Sequence, residues 1–199
     1  MKHDIENLKD NLLKLTEIQE QQVSIGDIAD RLGASAGVLL AIVLATPMCL
    51  PFANIPGIAQ AVSVAMGIIF LRYIQGKDTI WLPEKVRKTS LTNQNLKKIC
   101  SFLLKSISKI EKFLHPRMLF LTSNASLKLL YSFCILMVII LALPLVIPLT
   151  NFFPGLAILL INFGIMQRDG YIIISGLITG VAGILFIAYV IIWGMRLVM

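Results

Sequence analysis

Pro47-Met48-Cys49-Leu50-Pro51-Phe52-Ala53-Asn54-Ile55-Pro56-Gly57 has a second copy further along the chain, Pro144-Leu145-Val146-Ile147-Pro148-Leu149-Thr150-Asn151-Phe152-Phe153-Pro154-Gly155. Both read as Pro, three residues, Pro, two residues, Asn, then Pro-Gly after one or two more. Both lie inside long uncharged stretches. Proline removes a backbone donor and breaks a helix. At bilayer depth such a break is tolerated only where protein or a wet cavity satisfies the freed groups. Interrupted hydrophobic segments at matching places in two halves of a chain also point to a transporter's site. The expectation is therefore a duplicated, all-α integral membrane protein whose working part is where two broken segments meet. Pro47, Pro51, Pro56, Gly57, Pro144, Pro148, Pro154 and Gly155 shape the breaks.

Composition agrees. Of 199 residues 57% are hydrophobic, and the mean hydropathy is +0.82, too apolar for an ordinary soluble domain. No charge occurs between Arg31 and Arg72, between Lys128 and Arg168, or between Asp169 and Arg196. The first two runs are each about twice the roughly 20 residues a spanning helix needs, so each holds two helices around its break. Five hydrophobic helices follow, over 34–50, 57–74, 127–147, 155–166 and 171–195. Gly176, Gly180 and Gly183 allow close helix approach in the last.

Four regions result: amphipathic helices over 1–33, a first membrane repeat over 34–76, a basic linker over 77–126, and a second repeat with a final transmembrane helix over 127–199. In the first region Ile5, Leu8, Leu12 and Leu15 recur at helical spacing, and Ser24 with Asp27 forms a capping box that starts a short helix ending near Gly33. Residues 91–114 are amphipathic. Leu96, Ile99, Leu103, Ile107, Ile110 and Leu114 share one face, and Lys97, Lys98, Lys105, Lys109 and Lys112 lie off it. This reads as an interfacial helix, apolar side toward lipid, with a helix packed on its own domain as the alternative.

The net charge of +7 is concentrated. Residues 72–128 hold twelve Lys/Arg and three Asp/Glu, which by the positive-inside rule makes the 77–126 loop cytoplasmic. Without a recognition motif this charge speaks for anionic lipid rather than nucleic acid. Cys49, Cys100 and Cys134 are isolated and give no metal or disulfide spacing. No P-loop, zinc-protease or nucleophile-elbow motif occurs, and only two histidines are present, which argues against enzyme classes built on them. No cofactor is expected.

The polar residues near the apolar core are few. Asn54 and Asn151 occupy equivalent places and either satisfy freed backbone groups or contact a substrate. Arg168-Asp169 stands beside the core of the second half, with Arg72 and Gln75 in the corresponding place of the first. Ionisable groups at membrane depth are functional candidates; a helix–helix turn stopped by Gly170 is the alternative. Arg117, Lys97, Lys98, Lys105 and Lys109 are candidates for lipid phosphate.

The order of the first break, Gln75-Gly76-Lys77, Trp81-Leu82-Pro83, His115-Pro116-Arg117 and the block Pro144 to Gly170 resembles the ExoD family of bacterial membrane proteins. That family's second block typically runs PIPLGNxLPAxAILLIALGLLERDG. The likeness extends from about Ser24 to the C-terminus. Gln167 stands where the family often has Glu, which removes an acid beside Arg168-Asp169. The resemblance implies an inner-membrane protein with internal repeats and a link to exopolysaccharide synthesis or export, and it supplies no catalytic residues. Three readings follow: transport or handling of an anionic lipid or lipid-linked saccharide, an accessory subunit of a polysaccharide assembly complex, or a membrane enzyme on a lipid-linked sugar. A chain this small is expected to be a homodimer. Parallel and inverted repeats, and spanning and re-entrant segments, are both left open.

Overall fold

The computed structural model describes residues 5–16, 22–49, 57–77, 84–111, 118–143 and 149–198. It is helical throughout, apart from a short β-ribbon. The helices are α1 (Ile5–Thr16), α2 (Ile25–Leu32), α3 (Ala34–Met48), α4 (Ile58–Ile74), α5 (Glu84–Arg87), α6 (Asn93–Glu111), α7 (Asn124–Ala142), α8 (Phe152–Gln167) and α9 (Gly170–Val198). Strands β1 (Gln22–Ser24) and β2 (Ser90–Thr92) pair antiparallel, Val23 opposite Leu91. Three-residue strands carry too little alternation to be read from sequence.

The apolar helices form the body. Asn124–Ala142 and Gly170–Trp193 are long and apolar enough to cross a membrane, and Ala59–Ile74 and Phe152–Gln167 are shorter apolar helices. Four contacts fix their directions. Tyr131, early in α7, stacks on Tyr73 and Phe70, late in α4, with ring centroids 5.0 and 5.9 Å apart. A Cβ built at Gly67 in mid-α4 would lie 3.5 Å from Val138, late in α7. The two helices are therefore antiparallel. Gly37 at the start of α3 meets the Tyr73 ring, so α3 and α4 also run antiparallel. Met48 at the end of α3 lies against Gly155 at the start of α8. The most extensive packing is α8 on α9, α4 on α7 and α3 on α8.

It follows that the breaks after α3 and after α7 sit at one end of the bundle, here the elbow end. The start of α3, the ends of α4 and α8 and the start of α9 share the other, or base, end. Along α9, Gly164 meets Ile173, Gly176 meets Ile161 and Gly183 meets Phe153. The start of α8 is thus level with Gly183, about 20 Å along α9 from Gly170 at a rise of roughly 1.5 Å per residue. Beyond that level α9 continues with Leu185, Tyr189 and Trp193 exposed.

The amphipathic helices gather at the base. Ser24 caps α2 by accepting the Asp27 N–H at 3.0 Å, and its hydroxyl donates to the Asp27 carboxylate. Gly33, at φ 54°, ends the helix, and α3 leaves at 117° to it. Arg87 of α5 pairs with Asp30 of α2; both are half-exposed, so the pair adds little stability. Helix α1 packs on α6. Leu12 and Leu15 of α1 and Leu96 and Cys100 of α6 are all buried, so α1 takes up apolar surface that a reading of α6 alone assigns to lipid. A helical pattern shows which side is apolar, not what covers it.

Candidate functional site

Pro47 lies inside the last turn of α3 and withdraws one N–H from its ladder. The hydroxyl of Thr46 donates to the Ile42 carbonyl at 2.7 Å, and the Cys49 N–H closes onto Thr46 O at 3.2 Å. One side-chain and one backbone donor thus occupy carbonyls of this last turn. The first break reaches α4 through Gly57, at φ +91°, a conformation open to glycine at little cost. The Gly57 N–H donates to Gln60 Oε1 at 2.8 Å.

The second break is built differently. The chain leaves α7 extended at Leu143 and reaches α8 through Leu149, at φ +71°, strained for a residue with a side chain. Thr150 and Asn151 are 2% and 7% exposed. Asn151 occupies the N-cap of α8 and accepts the Gly155 N–H on its backbone carbonyl at 3.0 Å, but its carboxamide caps no backbone amide. Pro154 falls in the first helical turn, where its missing N–H costs nothing. A Cβ on Gly155 would stand 2.8 Å from Met48 Cβ and 3.2 Å from its backbone carbonyl carbon. The glycine of the second motif therefore lets the backbone of the first approach it directly.

At the base end the polar turn between α8 and α9 is fully employed. Arg168 adopts a left-handed conformation as the C-cap of α8. Asp169 is 5% exposed. Its Oδ1 accepts the Tyr171 N–H at 3.0 Å, its own N–H donates to Gly164 O at 2.9 Å, and its carbonyl accepts from Ile173 at 3.2 Å. Asp169 is the N-cap of α9, a position that favours aspartate.

The sequence candidates fall into separate groups. Asn151 is at the elbow end. Arg168 and Asp169 lie at the opposite end of α8, about 24 Å away over its 16 residues. Arg72 and Gln75, at the end of α4, share that base end. No single pocket holds all of them. Lys97, Lys98 and Lys105 project from α6, exposed. Asn54, Pro51, Pro56, Pro144, Pro148, Arg117 and the side chain of Lys109 lie outside the described residues. Among the described residues no cluster of three or more His, Cys, Asp or Glu could hold a metal.

Among the buried polar side chains, Asn162 was missed by sequence reasoning, and Gln167 entered it only as a departure from the family pattern. Asn162 is wholly buried; its Nδ2 donates to Ile158 O at 2.8 Å, while Oδ1 has no partner among the described residues. It lies two turns along α8 from Gly155 and three from Asn151, hence on the same face, toward α3. Gln167 is 7% exposed, and its Nε2 has no partner among the described residues. A lone amide within the apolar run Leu159-Leu160-Ile161-Asn162-Phe163 was the available signal for the first.

Comparison with known proteins bears on the whole arrangement. Residues 8–189 match the model of the family described as exopolysaccharide synthesis, ExoD. Protein ExoD of Rhizobium meliloti (strain 1021) is 29% identical over 167 residues, 81% of this chain and 68% of that protein. An uncharacterized protein of Synechocystis is 26% identical over 156 residues, 77% of this chain and 72% of that one. No solved structure matches. The chain belongs to the ExoD family.

Proposed function

We propose that this ExoD-family chain acts in exopolysaccharide synthesis as an inner-membrane protein that handles the anionic group of a lipid or lipid-linked saccharide at the elbow end of its bundle. The observation that carries the reading is the direct approach of Met48 to Gly155 beside Asn151, a nine-tenths-buried amide that is idle as a cap. The hairpins α3–α4 and α7–α8 are read as parallel repeats. Exchanging them turns the α3–α8 contact into the α7–α4 contact, and both pairs are among the most extensively packed. Helices α4 and α8 both begin at the elbow end, so the positive ends of their dipoles converge there, which favours an anion.

If α9 crosses the bilayer from Gly170 to Trp193, the elbows lie about 20 Å from the base, inside a hydrocarbon core roughly 30 Å thick. The hairpins then enter from the base and turn back within the membrane. On this reading the 77–126 loop at the base is cytoplasmic, and two copies of the chain assemble to enclose a path.

Cysteine accessibility tests it. In a chain with Cys49, Cys100 and Cys134 replaced by serine, Asn151→Cys is expected to react with a small charged thiosulfonate, and polyprenyl phosphate in the same vesicles is expected to slow that reaction. A cysteine at 151 that stays unreactive toward water-borne reagent from both sides overturns the reading.

A further inference from the structure

A second feature lies at the base, apart from the elbow. Leu12 and Leu15 of α1, Ile28 and Leu32 of α2, Leu39, Leu40 and Val43 of α3 and Leu96, Ile99 and Cys100 of α6 enclose a half-open cavity of about 190 Å³ with no polar lining. Apolar cavities near 150 Å³ stay dry and bind hydrocarbon. We propose that this cavity holds an acyl chain of an anionic phospholipid.

Three observations select that occupant. Leu39 and Leu40 belong to the first half of an apolar helix that starts at the base, and Val43 lies just past its middle, so the cavity opens in the base half of the bundle, toward the acyl chains nearer the headgroups. Val43 and Ile99 are half-exposed, 51% and 47%, which leaves a mouth for a chain to enter. The rim is cationic. Lys97 follows Leu96 on α6 and Arg31 precedes Leu32 on α2, each flanking the lining side of its helix, and both are exposed. The neighbouring acids of α2 are engaged, Asp27 by the Ser24 hydroxyl and Asp30 by Arg87. Asp10 of α1 is exposed and is outnumbered by the two cations. A phosphodiester at this rim meets ammonium and guanidinium groups while its chain fills the space below. Cys100, whose thiol is pushed above its ordinary range by burial, stays neutral and acts as part of the apolar wall.

Brominated lipids test the proposal. With Trp81 and Trp193 changed to Phe, Ile99→Trp gives a single fluorophore at the mouth. In phosphatidylcholine vesicles, a minor share of brominated phosphatidylglycerol is expected to quench it several-fold more than the same share of brominated phosphatidylcholine. Cys100→Phe, which fills the cavity, and Lys97→Glu with Arg31→Glu, which reverses the rim, are each expected to abolish that preference, and Cys100→Ser to keep it. Equal quenching by the two lipids overturns the proposal. So does a preference that survives Cys100→Phe in a protein melting at the parent temperature. If Cys100→Phe does not fold, the rim variant decides: a preference that survives it overturns the proposal. None of these outcomes bears on Asn151, so the elbow reading stands or falls separately.

Discussion

The two ends of α8 each place a buried polar residue at the start of a helix, and they use it differently. At the base, Asp169 accepts the Tyr171 N–H while its backbone is bonded in both directions. At the elbow, Asn151 sits at the matching N-cap with a carboxamide that caps nothing. A buried polar group committed to the backbone is part of the frame. One that caps no backbone amide is not committed to the frame in that way. The geometry commits Asp169 to the frame and leaves the Asn151 side chain uncommitted as a cap.

The largest expected effect sharpens the elbow side. Gly155→Val forces a side chain against the Met48 backbone and is expected to cost about 3 kcal/mol or to prevent folding; Gly155→Ala is expected to cost about half that. Thermal unfolding in detergent measures both. Gly57→Ala, in the other break, meets nothing within 4 Å and is strained only through its φ, so about 1 kcal/mol is expected. Equal losses at the two glycines would remove the idea that the breaks touch through Gly155.

Next is the base. Asp169→Ala removes a cap and is expected to lower stability by about 1–2 kcal/mol, with Asp169→Asn restoring most of it. Asn151→Ala is expected to change stability by less than about 0.5 kcal/mol while abolishing complementation of a strain that lacks the protein. If Asp169→Asn complements no better than Asn151→Ala, the contrast between frame and site fails.

The last effect concerns the seam between α3 and α8. Asn162→Leu removes an acceptor with no partner among the described residues and is expected to raise stability by about 1 kcal/mol. A loss of stability instead would mean that Oδ1 is bonded by water, and that the seam is wet as far as the middle of α8.

Much of this molecule was legible beforehand. Charge-free runs marked α3, α4, α7, α8 and α9, because a spanning or buried helix must exclude ions whatever it packs against. Ser24, Asp27 and Gly33 marked both ends of α2, because caps are local chemistry. The resemblance to the family rested on the order of short motifs, and the family match extends over residues 8–189. Three features were not legible. The ribbon of β1 with β2 is three residues long and joins segments far apart in sequence. The covering of α6 by α1 depends on two amphipathic faces finding each other. The separation of Asn151 from Arg168-Asp169 follows from an unbroken α8 between them, which stretches a short sequence distance to about 24 Å.

Hydropathy, proline and glycine act within a few residues of where they stand, so the apolar helices, their breaks and their caps could be read along the chain. That the two breaks share one end, that Gly155 receives Met48, and that Asp169 is spent on a cap while Asn151 is not came only with packing. Those outcomes depend on the direction in which each helix packs, and on which donors lie within about 3 Å of a side chain once packing is complete.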